Sequence, residues 1–378
     1  MSQRTLSRMI QELLASADIG TTGERPWDIE IHNDEFYRRL VKGGTLALGE
    51  SYMDGWWDCP RLDEFFFRAL RAELYDKAAF KIWYSDTVKS RLLNLQRPSR
   101  AGRDVPYHYD IGNDLYKCML GELMIYSCGY WETASTLEEA QEAKLDLVCR
   151  KLDLHPGMEL LDIGCGWGGA AKFAAEKYQV KVVGITISKR QAEYAKELCR
   201  GLPVDIRLQD YRDIHGAFDR IVSIGMFEHV GYKNYGAFMR IVRSCLKDDG
   251  LFLLHTIGGN TSVKSTDLWI DRYIFPHSML PSAAQICSAT EGLFVLEDWH
   301  SFGSDYDKTL MHWFQNFHDH WQMLKKNYDD RFYRMWKYYL LSCAGAFRAR
   351  CNQLWQIVLS PRGVLGGYKA PRHSSDDC

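Results

Sequence analysis

The chain has 378 residues, 46% of them hydrophobic, and a formal net charge of −2. That is enough apolar material for a large core in more than one domain, and too little positive charge for a general nucleic-acid binder. Its eleven cysteines are scattered and include no C-x-x-C pair, so neither a zinc site nor a disulfide framework is implied, and a reducing cytoplasm fits. Residues 1–20 read as an amphipathic helix that carries acids and lacks the long apolar core of a signal peptide. No apolar run approaches the length of a membrane span, so the chain is not expected to be integral to a membrane. Residues 11–14 and 34–40 predict further helix, and 49–57, Gly-Glu-Ser-Tyr-Met-Asp-Gly-Trp-Trp, reads as an aromatic turn. These elements predict a small, mainly helical domain over residues 1–100, joined to a second domain over 101–378. The joint, 89–103, has five basic residues and no acid. It reads either as a solvated linker or as a patch drawn to anionic lipid at about 1 kcal/mol per basic residue.

From about residue 158 strands and helices alternate, which predicts an α/β fold: a seven-stranded, mostly parallel sheet with helices on both faces. Strands are expected at 159–163, 179–186, 204–208, 218–224, 251–256, 293–299 and 353–360. The first helix is expected over 169–178, and a capping box from Ser188 to Gln191 starts the next, which reaches residue 199. A long helical stretch is expected over 309–350. The tail, 363–378, reads as disordered from its Gly, Pro, Ser and Asp content.

The stretch Leu160-Leu161-Asp162-Ile163-Gly164-Cys165-Gly166-Trp167-Gly168-Gly169 puts an acid and four glycines where a buried strand turns into a helix. Glycines let the backbone turn tightly and approach a ligand, and the helix N-terminus offers unpaired N–H groups. Gly164, Gly166 and Gly169 formally match a dinucleotide fingerprint. That site needs an acid about 20 residues on to hold a ribose hydroxyl, and the second strand ends in Thr186. Asp-x-Gly-x-Gly instead resembles the first motif of S-adenosylmethionine methyltransferases, with Asp162, Gly164, Gly166, Trp167 and Gly168 as cofactor-binding candidates.

In an open α/β sheet ligands bind beyond the carboxyl ends of the strands. Thr186 and Gln191 follow strand two, Asp210 and Tyr211 follow strand three, and all four are candidate ribose and adenine contacts, although a capping role also accounts for Gln191. Strand four is followed by Glu228 and strand five ends in His255. An acid and an imidazole at adjacent strand ends make a candidate proton-handling pair. His229 reads as a helix-start residue, Tyr306 as a loop tyrosine able to swing over the pocket, and Cys128 by default as a small buried side chain.

Taken together, Tyr126-Ser127-Cys128, the glycine turn, Gly225-Met226-Phe227-Glu228-His229-Val230-Gly231, Phe302-Gly303-Ser304-Asp305-Tyr306 and the 49–57 and 108–114 segments resemble the bacterial cyclopropane-fatty-acyl-phospholipid synthases over nearly the whole chain. The resemblance implies transfer of a methylene from S-adenosylmethionine across a cis double bond of a phospholipid acyl chain. It also implies a bicarbonate held by Cys128, Glu228, His255, Ile257 and Tyr306, and cofactor contacts at Tyr126, Ser127, Gly164, Thr186, Gln191 and Tyr211. Cys343 matches a cysteine associated with the family's active site and is kept as a catalytic candidate, although the expected chemistry needs no thiolate. The implied protein is a homodimer whose N-terminal domain docks from the cytoplasm on the inner face of a membrane. An alkene is a weak nucleophile, so it needs an electrophile as strong as a sulfonium methyl, and a base must then take a proton from the resulting cation. Phe227, Trp269 and Tyr273 are candidate walls whose ring faces stabilise that cation; core packing is the competing expectation for each. The rival readings are an amine methyltransferase of the same fold, a nicotinamide oxidoreductase, and a lipid-binding protein without catalysis.

Overall fold

The computed structural model describes residues 3–74 and 112–372; the 89–103 joint lies outside the described residues, as do 1–2, 108–111 and 373–378. The described residues form two compact units. One comprises 3–74, Lys264–Pro276 and Tyr306–Asn352, and the other 112–263, His277–Asp305 and 353–372. Each unit thus draws on separated stretches of chain.

The larger unit is built on a seven-stranded sheet of β3 (Glu159–Ile163), β4 (Lys181–Thr186), β5 (Val204–Leu208), β6 (Phe218–Ile224), β7 (Leu246–Gly259), β8 (Val295–Ser301) and β9 (Asn352–Ser360), in the order β5-β4-β3-β6-β7-β9-β8. Strands β3 to β7 pair in parallel, and β8 runs antiparallel to β9. Alternate residues of each strand enter opposite cores. Leu161, Ile221, Phe252, Leu254 and Ile357 pack with the helices Tyr235–Cys245 and Ala283–Thr290. Leu160, Val222, Leu251, Leu253 and Val358 pack with Leu137–Lys151 and Gly169–Tyr178. Both faces are covered, which is why these strands read as near-continuous apolar runs. Strand order reverses between β3 and β6, so their carboxyl ends open a crevice.

Several boundaries differ from expectation for local reasons. β4 begins at Lys181 because Gln179 ends the preceding helix in the left-handed region, at φ 54°. β8 begins at Val295 because the Leu293 and Phe294 N–H groups bond the Thr290 carbonyl and close the helix before them. Ser188 caps its helix by accepting from the Gln191 N–H, but the Gln191 side chain turns to Thr186 and leaves the capping box half built. The 309–350 stretch is three helices, Ser304–Asp319, Trp321–Leu324 and Asp330–Arg348, the last capped by Asp329. The tail is ordered through Arg372. The Tyr368 hydroxyl bonds the Lys151 carbonyl at 2.7 Å, Arg372 pairs with Asp298, and the Tyr130 hydroxyl donates to the Arg372 carbonyl at 2.8 Å.

In the helical unit, residues 49–53 end the helix Phe36–Met53, and the expected turn is confined to 54–55, with a bend at 56 before β2 (Trp57–Asp58), which pairs with β1 (Glu30–Ile31). Trp269 packs so closely over Gly49 that no Cβ fits there. Its indole N–H points at Met53 Sδ, 3.3 Å away, and its ring lies 4.5 Å from Tyr338. Tyr52, Trp57 and Phe65 complete this aromatic core.

Candidate active site

The glycine turn leaves β3 with Gly164, Gly166 and Gly168 all at positive φ, a conformation L side chains rarely adopt. A Cβ on Gly164 would meet Met226 at 2.7 Å, while one on Gly166 would meet only open space. The turn thus presents bare backbone to open space at Gly166. Trp167 is buried beneath it, its ring 4.6 Å from Tyr116 and 6.5 Å from Tyr126, and its indole N–H donates to Asn113 Oδ1 at 3.1 Å. Asp162, inside β3, is 2% exposed, and its Oδ2 has no hydrogen-bond partner among the described residues. Burial raises its carboxyl to about 7, against the pull of the Lys144 charge.

At the end of β4 the Thr186 hydroxyl donates to Gln191 Oε1 at 3.0 Å and accepts from the Ser188 N–H at 3.2 Å. Asp210 is occupied by the Arg212 backbone N–H and guanidinium, at 2.9 and 3.0 Å, and Tyr211 packs edge-on against Phe238. Thr186 and Gln191 therefore form one hydrogen-bonded pair, and Asp210 pairs with its neighbour Arg212.

Glu228 follows β6 in a single 3₁₀ turn, Phe227–His229. Its Oε1 accepts from the Ile257 N–H at 2.7 Å, which ties it to the end of β7, and its Oε2 is buried without a partner among the described residues. Burial lifts this carboxyl to about 7, opposed by the Ile257 N–H. His255 lies two residues before Ile257 and is 1% exposed. Gln356 Nε2 meets its Nδ1 at 3.3 Å. An amide nitrogen only donates, so Nδ1 accepts and the ring proton sits on Nε2, which has no partner among the described residues. Desolvation, with the charges of Lys144 and Lys151, keeps the imidazole neutral. Burial likewise lowers His229 to about 4.

Cys128 is fully buried and its thiol donates to the Gly129 carbonyl at 3.1 Å. Ser127, beside it, accepts from Lys144 Nζ at 2.9 Å. Phe227 is wholly buried, stacked on Tyr235 at 4.2 Å; like Trp269 it packs as a core residue, the competing expectation for both. Tyr273 bonds Glu50 Oε1 at 2.9 Å.

Tyr306 and Cys343 belong to the helical unit. Tyr306 stands in the first turn of its helix instead of a loop, stacked on Phe347 at 4.5 Å, and Arg348 grips the adjacent Asp307 at 2.9 and 3.0 Å. Desolvation drives the Cys343 thiol up to about 12, so it is protonated at neutral pH.

Sequence reading missed Lys144 and Gln356. Both are fully buried: Gln356 interrupts the apolar run of β9, and Lys144 lies with Gln141 and Lys151 on the inward stripe of Leu137–Lys151. A polar residue where the period demands an apolar one was the available signal.

The family description Mycolic acid cyclopropane synthetase matches residues 96–357. Over 368 residues, 97% of this chain and 96% of the relative, the sequence is 52% identical to the cyclopropane-fatty-acyl-phospholipid synthase of Escherichia coli K12. A probable fatty acid methyltransferase of Pseudomonas putida is 40% identical over 299 residues, 73% of this chain and 75% of that one. Among solved structures, the cyclopropane synthase MmaA2 of Mycobacterium tuberculosis matches with TM-score 0.64 and 34% identity, over 68% of this chain and 97% of that chain. The mycolic acid cyclopropane synthase CmaA1, complexed with SAH and CTAB, matches with the same four figures. With its mostly parallel seven-stranded sheet and its glycine turn on β3, the chain belongs to the mycolic acid cyclopropane synthetase family and is an S-adenosylmethionine-dependent methyltransferase.

Proposed function

We propose that the enzyme transfers a methylene to the cis double bond of an unsaturated phospholipid acyl chain, forming a cyclopropane ring, with bicarbonate as proton acceptor. The observation that carries this reading is the pair of buried, half-satisfied groups at neighbouring strand ends, Glu228 Oε2 and His255 Nε2, whose neutral forms burial favours. A protonated carboxyl and an Nε2–H both donate, and a small oxyanion accepts from both. Ile257 contributes by holding Glu228 through its N–H, and Cys128 completes the set by family resemblance.

S-adenosylmethionine, when bound, supplies an electrophilic sulfonium methyl. The open space before Gly166 and the unsatisfied Asp162 Oδ2 support its seat, and Thr186, Gln191, Tyr211, Tyr126 and Ser127 are the residues that would hold it. Bicarbonate, when bound, supplies a base that is replaceable, where a carboxylate set against a carbocation would itself be alkylated. Glu228 and His255 hold that oxyanion without adding charge, and the buried strand ends exclude water that would quench the cation. The proposed chemistry assigns no step to Cys343, whose thiol burial drives up to about 12.

In this proposal residues 1–100 dock on the inner face of the membrane from the cytoplasm, as part of a homodimer. Among the described residues no helix is long and apolar enough to cross a bilayer, which supports peripheral attachment. A trideuteromethyl donor tests the reaction on vesicles of unsaturated phospholipid. Ring closure leaves two deuterium atoms in the product and simple methyl transfer leaves three; the second result, or no release of S-adenosylhomocysteine, overturns the proposal.

A further inference from the structure

The helix Leu137–Lys151 buries an ammonium that none of the roles above uses. Positions 137, 140, 141, 144, 148 and 151 recur at three- and four-residue spacing and form its inward stripe, in which Gln141, Lys144 and Lys151 are fully buried. Taking a lysine out of water costs several kcal/mol unless its charge is answered. Among the described residues Lys144 has one hydrogen bond, to Ser127 Oγ. The titratable groups that bear on it are Asp162 on β3, Cys128 beside Ser127, and Cys149 on its own helix, and His255 on β7 feels its field in turn.

An ammonium only donates, so Ser127 Oγ accepts from Lys144 and its own hydrogen is turned elsewhere. Asp162 offers the opposite polarity, a buried acceptor whose Oδ2 is unsatisfied. A ligand end that carries a carboxylate and an ammonium together, an α-amino acid, meets both needs. We propose that Lys144 is a positioning residue that makes Ser127 an obligate donor to the carboxylate of the methionine end of S-adenosylmethionine, while Asp162 accepts from its ammonium. The inference rests on the reading of Ser127 and Asp162 as cofactor contacts. Burial brings Lys144 down to about 8, so its charge is present at neutral pH and is lost above it.

Calorimetric titration of the full chain with S-adenosylhomocysteine and with methylthioadenosine, which lacks the amino-acid end, tests the proposal. Lys144→Met is expected to weaken S-adenosylhomocysteine about 30-fold and to leave methylthioadenosine within about threefold. Ser127→Ala is expected to cost about tenfold alone and little more in the Lys144→Met background, because the two act as one unit. Equal weakening of both ligands by Lys144→Met, or fully additive effects, overturns the proposal. Unchanged affinity in Ser127→Ala overturns the cofactor-contact reading beneath it as well. The unaltered chain gives a measurement independent of any variant's folding. Its preference for S-adenosylhomocysteine over the decarboxylated counterpart should fall about tenfold between about pH 7 and about pH 9.5 as Lys144 loses its proton, and a flat ratio overturns the proposal.

Discussion

Burial favours the neutral forms of Glu228 and His255 by opposite routes: the carboxyl holds its proton up to about pH 7 and the imidazole refuses a second one. The first route has a thermodynamic signature. Burial raises Glu228 from 4.5 to about 7, so between those values the folded chain holds a proton that the unfolded chain has released. That stabilising contribution is whole below about 4.5 and is lost as pH rises through about 7. Glu228→Gln removes it. The fall in unfolding free energy between about pH 5 and about pH 7.5 should flatten by on the order of 3 kcal/mol in urea titrations. The same variant should lose turnover by about 100-fold or more while S-adenosylhomocysteine still binds; vesicles that still accumulate cyclopropane chains would refute the role. Gln356 fixes the His255 tautomer, so Gln356→Met should convert a single Nε2–H imidazole signal in nitrogen NMR into a mixture, and an unchanged spectrum would show that the amide does not govern the ring.

Two elements carry these residues, and each has a specific dependence. The helix bearing Lys144 starts at a complete capping box: Thr136 accepts from the Glu139 N–H, and the Glu139 side chain accepts from the Thr136 N–H. Thr136→Ala should cost about 1 kcal/mol, read as a lowered thermal midpoint. The glycine turn is more demanding, since Gly164 sits at φ 86° with Met226 2.7 Å from any added Cβ. Gly164→Ala should lose about 1–2 kcal/mol from backbone conformation alone and abolish detectable cofactor binding in calorimetry. A variant that bound normally would show that the turn does not need bare backbone. Sequence announced the glycine turn clearly, because its chemistry is local to the chain. The side-chain partners were less legible. The Ser188 cap formed as the sequence suggests, yet Gln191 left the box for Thr186, a choice that depends on where β4 ends in space.

Across the larger unit the last stretch before Arg372 works as a clasp. Arg372 and Lys151 both answer the buried Asp298, and Tyr368 closes on the Lys151 carbonyl. Removing residues 363–378 should destabilise the sheet unit by about 1–3 kcal/mol in urea unfolding, and a truncated chain as stable as the parent would show that the clasp is incidental. Composition suggested disorder here, since a few anchoring side chains contribute little to an average over a Gly- and Pro-rich segment.

The sequence by itself determined the parallel sheet, the cofactor class and the strand-end placement of Glu228 and His255. These follow from hydrophobic period, glycine spacing and the order of elements, all of which are local along the chain. Only the tertiary structure decided the protonation and partners of those groups, the pairing of Asp210 with Arg212, the packing of Phe227 and Trp269, and the burial of Lys144 against Ser127. Each of these is set by the exclusion of water and by atoms brought together from distant or separately folded segments, and no periodicity in the chain encodes which buried polar group will meet which.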